Sequence, residues 1–174
     1  MIQVIELLTE PKLVTLEEAK KHLRLNNSRE DTTINSLIIT ASSMVEEFID
    51  RTIFSKKLKL TSKYSPYYYL GNYIVDTVES VNLYYKNELV KEDAEFTQTT
   101  HTVNVTETID FDYVEIIYSI KTDYPVIPES FKQAALLYIG DLFNNRQEIV
   151  IGRTAFNLNV VDRILRPYTK MISL

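Results

Sequence analysis

The chain has 174 residues with no cysteine, two histidines and a formal net charge of −5, from 19 basic and 24 acidic residues. Lack of cysteine excludes thiol catalysis, disulfides and thiolate metal sites, and His22 and His101 leave little material for a metal centre or a histidine-led triad. The acidic balance argues against a dedicated nucleic-acid binder, no apolar run reaches the roughly 18 residues of a membrane span, and no basic-then-apolar leader opens the chain, so synthesis in a cytoplasm is expected.

Residues 1 to 14 read as an extended arm ending at Pro11 and Val14. TLEEAKKHLRL predicts a short helix over about 15–25, with Thr15 and Glu18 forming a capping box and Leu16, Ala19 and Leu23 on one face. NNSRED is a polar turn, and Asp31 is the expected N-cap of a second helix over about 31–51. The stripe of that helix is Ile34, Leu37, Ile38, Ala41, Val45, Phe48 and Ile49. Ile39 lies off the stripe near Ser43, Glu46 and Asp50. A lone exposed isoleucine is ordinary; a contact with a neighbouring subunit is the alternative.

From about Ser55 the period becomes 2. Val81, Leu83 and Tyr85 alternate with polar neighbours, Lys86-Asn87-Glu88 reads as a turn, and Val114, Ile116, Tyr118 and Ile120 share a face. Five or six short antiparallel strands over about 55–120 are expected, one face to the core and one to water. Pro125 and Pro128 end this section, and Pro128 is placed to open a central helix over about 128–145 at its first turn. Phe131, Ala134, Ala135, Tyr138, Ile139 and Leu142 form its stripe; Leu136, Leu137 and Phe143 fall outside it. A helix so nearly apolar all round must be surrounded. A last helix near 160–168 stops at Pro167. The reading is α+β: a small helical bundle with an inserted antiparallel β section, in a single domain spanning 1–174.

Chemistry-bearing patterns are sparse. Glu46, Glu47 and Asp50 have the helical spacing of a Mg²⁺ site, but the central helix offers only Asp141 as a partner, so a solvated face is the plainer reading. His22 and His101 have no catalytic partners at useful spacing. Lys56, Lys57, Lys59 and Lys63 could touch phosphate, although such clusters more often keep an edge strand soluble. The three glycines are far apart and form no phosphate loop. Tyr67, Tyr68 and Tyr69 must present at least one ring outward if they form a strand; stacking on a base and contact with a protein are both open, the latter commoner. No catalytic residue, cofactor or metal is expected.

VTLEEAKKHLRLNNSREDTTINSLIITASSMVEEFIDR resembles the opening of the head–tail connector (head-completion, adaptor) proteins of tailed bacteriophages, with a helix, an acidic turn and a long helix stopped at Arg51-Thr52. IPESFKQAALLYIGDLFNNRQ is similar to the family's proline, central helix, aromatic and asparagine; Arg146 is followed here by Gln147 and then Glu148. DRILRPYTK resembles the closing signature, without an arginine after Tyr168, and ESVNLYYKNELV is similar to the β insertion of longer members. The resemblance implies a structural virion protein made in the host cytoplasm and placed in the neck. There it would form a cyclic, twelve-fold ring below the portal that extends the DNA channel and joins head to tail. Implied partners are the portal protein, tail or further neck proteins, other copies of the chain, and double-stranded DNA that passes without sequence recognition; no membrane is implied. Expected contact regions are the arm 1–14, the tail after Asn159 and the tyrosine run. Ile39, Tyr67, Tyr68 and Tyr69 are the expected contact residues there, with Arg146, Arg163, Arg166 and Tyr168 nearer the C-terminus. A small protein-binding adaptor or regulator, or a Mg²⁺-dependent helical hydrolase, remains the alternative.

Overall fold

The structure, a computed structural model, describes residues 1–145 and 159–170. Its elements in chain order are β1 (Ile2–Leu7), α1 (Leu16–Leu23), α2 (Asp31–Ile49), β2 (Lys56–Lys63), β3 (Tyr68–Tyr69), β4 (Ile74–Tyr85) and β5 (Glu88–Lys91). Then follow β6 (Phe96–Gln98), β7 (Thr102–Val105), β8 (Tyr113–Lys121), α3 (Glu129–Asn144), α4 (Asn159–Leu165) and a 3-10 turn, Arg166–Tyr168. The architecture is α+β, as the change of period indicates. Two compact units result: Met1–Glu10 with Thr52–Asp123, and Pro11–Arg51 with Tyr124–Leu174.

Alternation builds the β unit. Leu58 and Leu60 of β2, Val81 and Leu83 of β4, and Val114, Ile116, Tyr118 and Ile120 of β8 are buried in one cluster. These strands belong to a five-stranded antiparallel sheet ordered β1-β2-β8-β4-β5. A second, three-stranded sheet, β3-β7-β6, contributes Tyr68 and Val103 to the same cluster, with Leu70 following β3. The buried Tyr118 hydroxyl donates to the Leu70 carbonyl at 2.9 Å, and burial pushes its phenol pKa well up. Over residues 56–121 there are seven strands rather than five or six, because β3, two residues long, is too short to show a period in sequence. The extended arm is also a strand: β1 pairs with β2 and becomes an edge of the larger sheet. Tyr85 is exposed, unlike Val81 and Leu83, at the last position before the turn. Lys86 and Asn87 both take positive φ, 51° and 68°, as a tight two-residue hairpin turn demands.

The helical unit follows its caps and stripes. Thr15 Oγ1 accepts the Glu18 N–H at 3.2 Å while the Glu18 carboxylate accepts the Thr15 N–H at 2.7 Å, closing the expected box on α1. Asp31 is not the N-cap of α2; Glu30 holds that position without a side-chain capping bond. The Asp31 carboxylate instead accepts from the Lys20 ammonium at 2.7 Å, tying α1 to α2, and sits in the first turn, where the helix dipole favours an anion. Ile34, Ile38, Ala41, Val45 and Ile49 are buried as expected, but Leu37 and Phe48 are only half-buried. The stripe is turned toward Ser42, which is fully buried because its Oγ accepts the Leu13 N–H at 3.0 Å. In α3, Phe131, Ala134, Ala135, Tyr138 and Ile139 are buried, while Leu142 is half-buried with Leu136, Leu137 and Phe143. Pro128 is the N-cap of α3 rather than part of its first turn. The central helix is surrounded by α1, α2 and α4. Val161 and Leu165 anchor α4, and Pro167 lies in the 3-10 turn that ends it.

Candidate functional site

Among the described residues no group of three His, Asp or Glu side chains could hold a metal, and no helix is long and apolar enough to cross a membrane. Glu47 and Asp50 are exposed and Asp50 is the left-handed C-cap of α2, with φ 51°. Asp141 is also exposed and accepts from the Asn145 side-chain amide at 2.7 Å. His22 lies over α3, where a methyl group added at Gly140 would meet its Nε2 at 3.3 Å. His101 sits beside Tyr69, ring centroids 6.5 Å apart, with its Nδ1 buried and unpaired. These placements assemble no reacting centre. The candidate sites are surfaces.

The first surface is the rim of the β unit. Ile2, Val4, Ile5, Leu7 and Leu8 are all exposed along and just beyond β1. Opposite edge strand β5 exposes Leu89 and Val90. The lysine cluster does not guard an edge, because β2 lies inside the sheet between β1 and β8. Two of its cations are paired along the sheet: Lys57 meets Glu79 at 2.9 Å and Glu6 at 3.5 Å, and Lys59 meets Glu115 at 2.7 Å. The hydrogen bond to Glu79 holds the Lys57 ammonium above its ordinary pKa. Such pairing leaves Lys57 and Lys59 little charge for a phosphate backbone. Tyr84 stacks on Tyr113 at 4.6 Å on the same sheet, and burial with the nearby Glu115 carboxylate raises its phenol pKa.

The tyrosine run splits by strand alternation. Tyr67 and Tyr69 are exposed, 63% and 50%, and Tyr64 beside them 64%. Tyr68 is 2% exposed and is corrected from a contact residue to a core residue: its ring packs between the sheets and its hydroxyl accepts the Ser65 N–H at 3.1 Å. Desolvation raises its phenol pKa.

The second surface is a groove of about 550 Å³ in the helical unit, where the start of α1, one face of α3 and the 3-10 turn converge. Val14, Leu136, Ile164 and Pro167 supply apolar walls, and Glu18, Ser130, Gln133 and Tyr168 the polar ones. Tyr168 is half-buried and holds this region together. Its ring stands edge-on to Phe131 at 4.9 Å, its hydroxyl shares a hydrogen bond with Ser130 at 3.0 Å, and its carbonyl accepts Arg51 Nε at 3.2 Å. Arg163 and Arg166 are exposed nearby on α4 and the 3-10 turn, and Ile39 is exposed on α2 at 40%. Arg146 lies outside the described residues. Sequence reasoning missed the groove and the β5 edge. The groove is made by segments distant in sequence and had no local signal; the edge could have been read from the apolar pair in ELVK.

A comparison with curated proteins gives no match. Among solved structures the chain is similar to one in the neck of an empty GTA particle computed with C6 symmetry. The TM-score is 0.64 at 16% identity, covering 100% of this chain and 97% of that chain. Chains from the virion of a native gene transfer agent (GTA) particle and from the neck of a native GTA particle computed with C12 symmetry match equally, each with TM-score 0.64, 16% identity and the same coverage. At that identity the likeness establishes the fold. A family model described as head completion protein matches residues 12–155, most of the sequence, and the chain belongs to the head completion protein family.

Proposed function

We propose that the whole chain, 1–174, acts as one subunit of a cyclic ring in the neck of a tailed particle, below the portal, extending the DNA channel and joining head to tail. Family membership carries this reading and makes the role structural rather than enzymatic. The fold it shares with chains from necks computed with C6 and C12 symmetry supports a ring, with twelve copies as the proposed number. Cyclic symmetry needs two different patches on each subunit, and closure of the rotation sets the copy number. Exposed Tyr67 and Tyr69, the arm, Ile39, and Arg163 and Arg166 beside the Tyr168 groove are the proposed contact points with neighbours, portal and tail. Arg146 joins them on sequence alone. The net charge of −5 suits a channel through which DNA slides without adhering.

The test mixes the purified protein with a portal ring and images the product. A ring of this chain on the portal is expected. Removing residues 160–174 weakens docking; circular dichroism must show that the helices persist, because Val161 and Leu165 are core residues. A folded, full-length protein that never joins a portal or tail particle would refute the reading.

A further inference from the structure

The net charge of −5 is not spread along the chain. The helical unit carries 11 acidic and 12 basic side chains, the β unit 13 acidic and 7 basic. Within the β unit, residues 86–112 hold seven carboxylates against two lysines. Contacts among its loops hold this stretch together as one corner. Asp112 Oδ2 accepts the Lys86 N–H at 2.6 Å, and Glu107 Oε1 accepts the Glu95 N–H at 3.0 Å. Lys91 is taken up by Glu107 at 3.5 Å, and the Lys86 ammonium lies over the Tyr85 ring at 5.1 Å. Glu88, Glu92, Asp93, Glu95, Asp110 and Asp112 are all exposed. Among the described residues none of these six has an ion-pair partner. The opposite surplus stands where α1 turns into α2. The Lys20–Asp31 ion pair at 2.7 Å closes that turn and uses up the Asp31 charge. Lys21, Arg24 and Arg29 lie on it, exposed, and among the described residues they too have no ion-pair partner. Arg163 and Arg166 differ, because they follow Asp162 and stand beside a groove lined by Glu18 and Glu129.

We propose that the basic turn at Lys21–Arg29 of one copy rests on the acidic corner at Glu88–Asp112 of the next. This rests on the ring reading and supplies that ring with a pair of patches. Charge complementarity selects the occupant. A DNA backbone could meet the basic turn, but the corner would repel it. A basic protein could meet the corner, but it would leave the turn unanswered. A second copy offers the complement of both patches at once. A cyclic contact requires this arrangement, two different surfaces of one chain that fit each other. Each copy then spends its corner on one neighbour and its turn on the other, and a closed ring leaves neither patch open. Contacts of this kind fix partner choice and speed the encounter more than they add affinity.

Ser28 and Thr108 are exposed, neutral residues within the two patches. The chain has no cysteine, so a Ser28→Cys/Thr108→Cys variant carries only these two probes. A short bis-maleimide is applied to it concentrated alone and together with a portal ring. A ladder of covalent oligomers is expected from the double variant and at most dimers from either single one. Adding Arg24→Glu/Arg29→Glu, or Glu92→Lys/Glu95→Lys, is expected to lower the yield about two- to fivefold at low salt. All four changes together should restore it, and raising the salt should weaken the contact by screening. Circular dichroism of each variant must match that of the parent chain. No ladder in either setting overturns the proposal, as does a yield that either reversal leaves unchanged. A combined variant that stays low overturns it too, because each patch then faces some other partner. Imaging the unmodified chain on the portal is independent: rings without a ladder sink this interface and spare the ring, whereas a ladder without rings does the reverse.

Discussion

The β unit and the helical unit treat apolar surface differently. In the helical unit the large exposed apolar side chains among the described residues are Ile39, Val126 and Val160, each isolated in sequence. In the β unit most come in runs, Ile2 to Leu8, the tyrosines at 64, 67 and 69, and Leu89-Val90, while Ile74, Tyr85 and Ile109 stand singly. Both units have fully buried cores, so the contrast is not one of folding quality. A helix satisfies its own backbone, and its exposed face needs nothing further. A sheet ends in edges whose N–H and C=O groups stay open until something pairs with them. The β unit thus carries the sticky surface and the helical unit a shaped groove, a division that fits the proposed ring subunit.

The sharpest way to test that contrast is to damage the helical core. Phe131 is fully buried and packed edge-on against Tyr124 at 4.9 Å and Tyr168 at 4.9 Å. Phe131→Ala should cost about 3–5 kcal/mol in denaturant titrations. A loss below 1 kcal/mol would mean the three rings are not the packed cluster described. Ser42→Ala should cost about 1–3 kcal/mol, because it strands the Leu13 N–H in the core; Ser42→Thr, which keeps the acceptor, tests whether the bond or the volume matters. In the β unit Gly71 takes φ +93°, and an added methyl would come within 2.5 Å of the Tyr73 ring. Gly71→Ala should therefore cost about 1–2 kcal/mol, measurable by thermal melting, since alanine resists that conformation even if the ring moves aside.

Two smaller effects sharpen the comparison. Hydrogen bonds from Thr15 hold the Glu18 carboxyl below its ordinary pKa. A lowered carboxyl pKa stabilises the fold above the ordinary value, and the gain disappears as pH falls below about 4.3 and through the folded value. Glu18→Ala should remove less than about 1 kcal/mol at neutral pH and flatten acid unfolding in that window, followed by circular dichroism. Val4→Lys should change stability by no more than about 0.5 kcal/mol, because the side chain is already exposed, yet reduce self-association in sedimentation runs. A large loss of stability would show that the arm belongs to the core after all.

Sequence alone determined the elements that rest on local chemistry. The Thr15–Glu18 box, the hairpin turn at Lys86-Asn87 and the alternation of β8 are visible because neighbours along the chain settle them. The family was legible too, in motifs of helix packing. Only tertiary structure decided what distant segments settle together. Ser42 enters the core because Leu13 needs an acceptor, and Phe48 is left at the margin by the same rotation. Tyr68 turns inward and its two neighbours outward because the five-stranded sheet packs against one face of β3. The arm becomes an edge strand because β2 presents an unpaired backbone to it. Period and capping report on residues a few positions apart, whereas registry, edges and grooves are made by segments that meet only once the chain has folded.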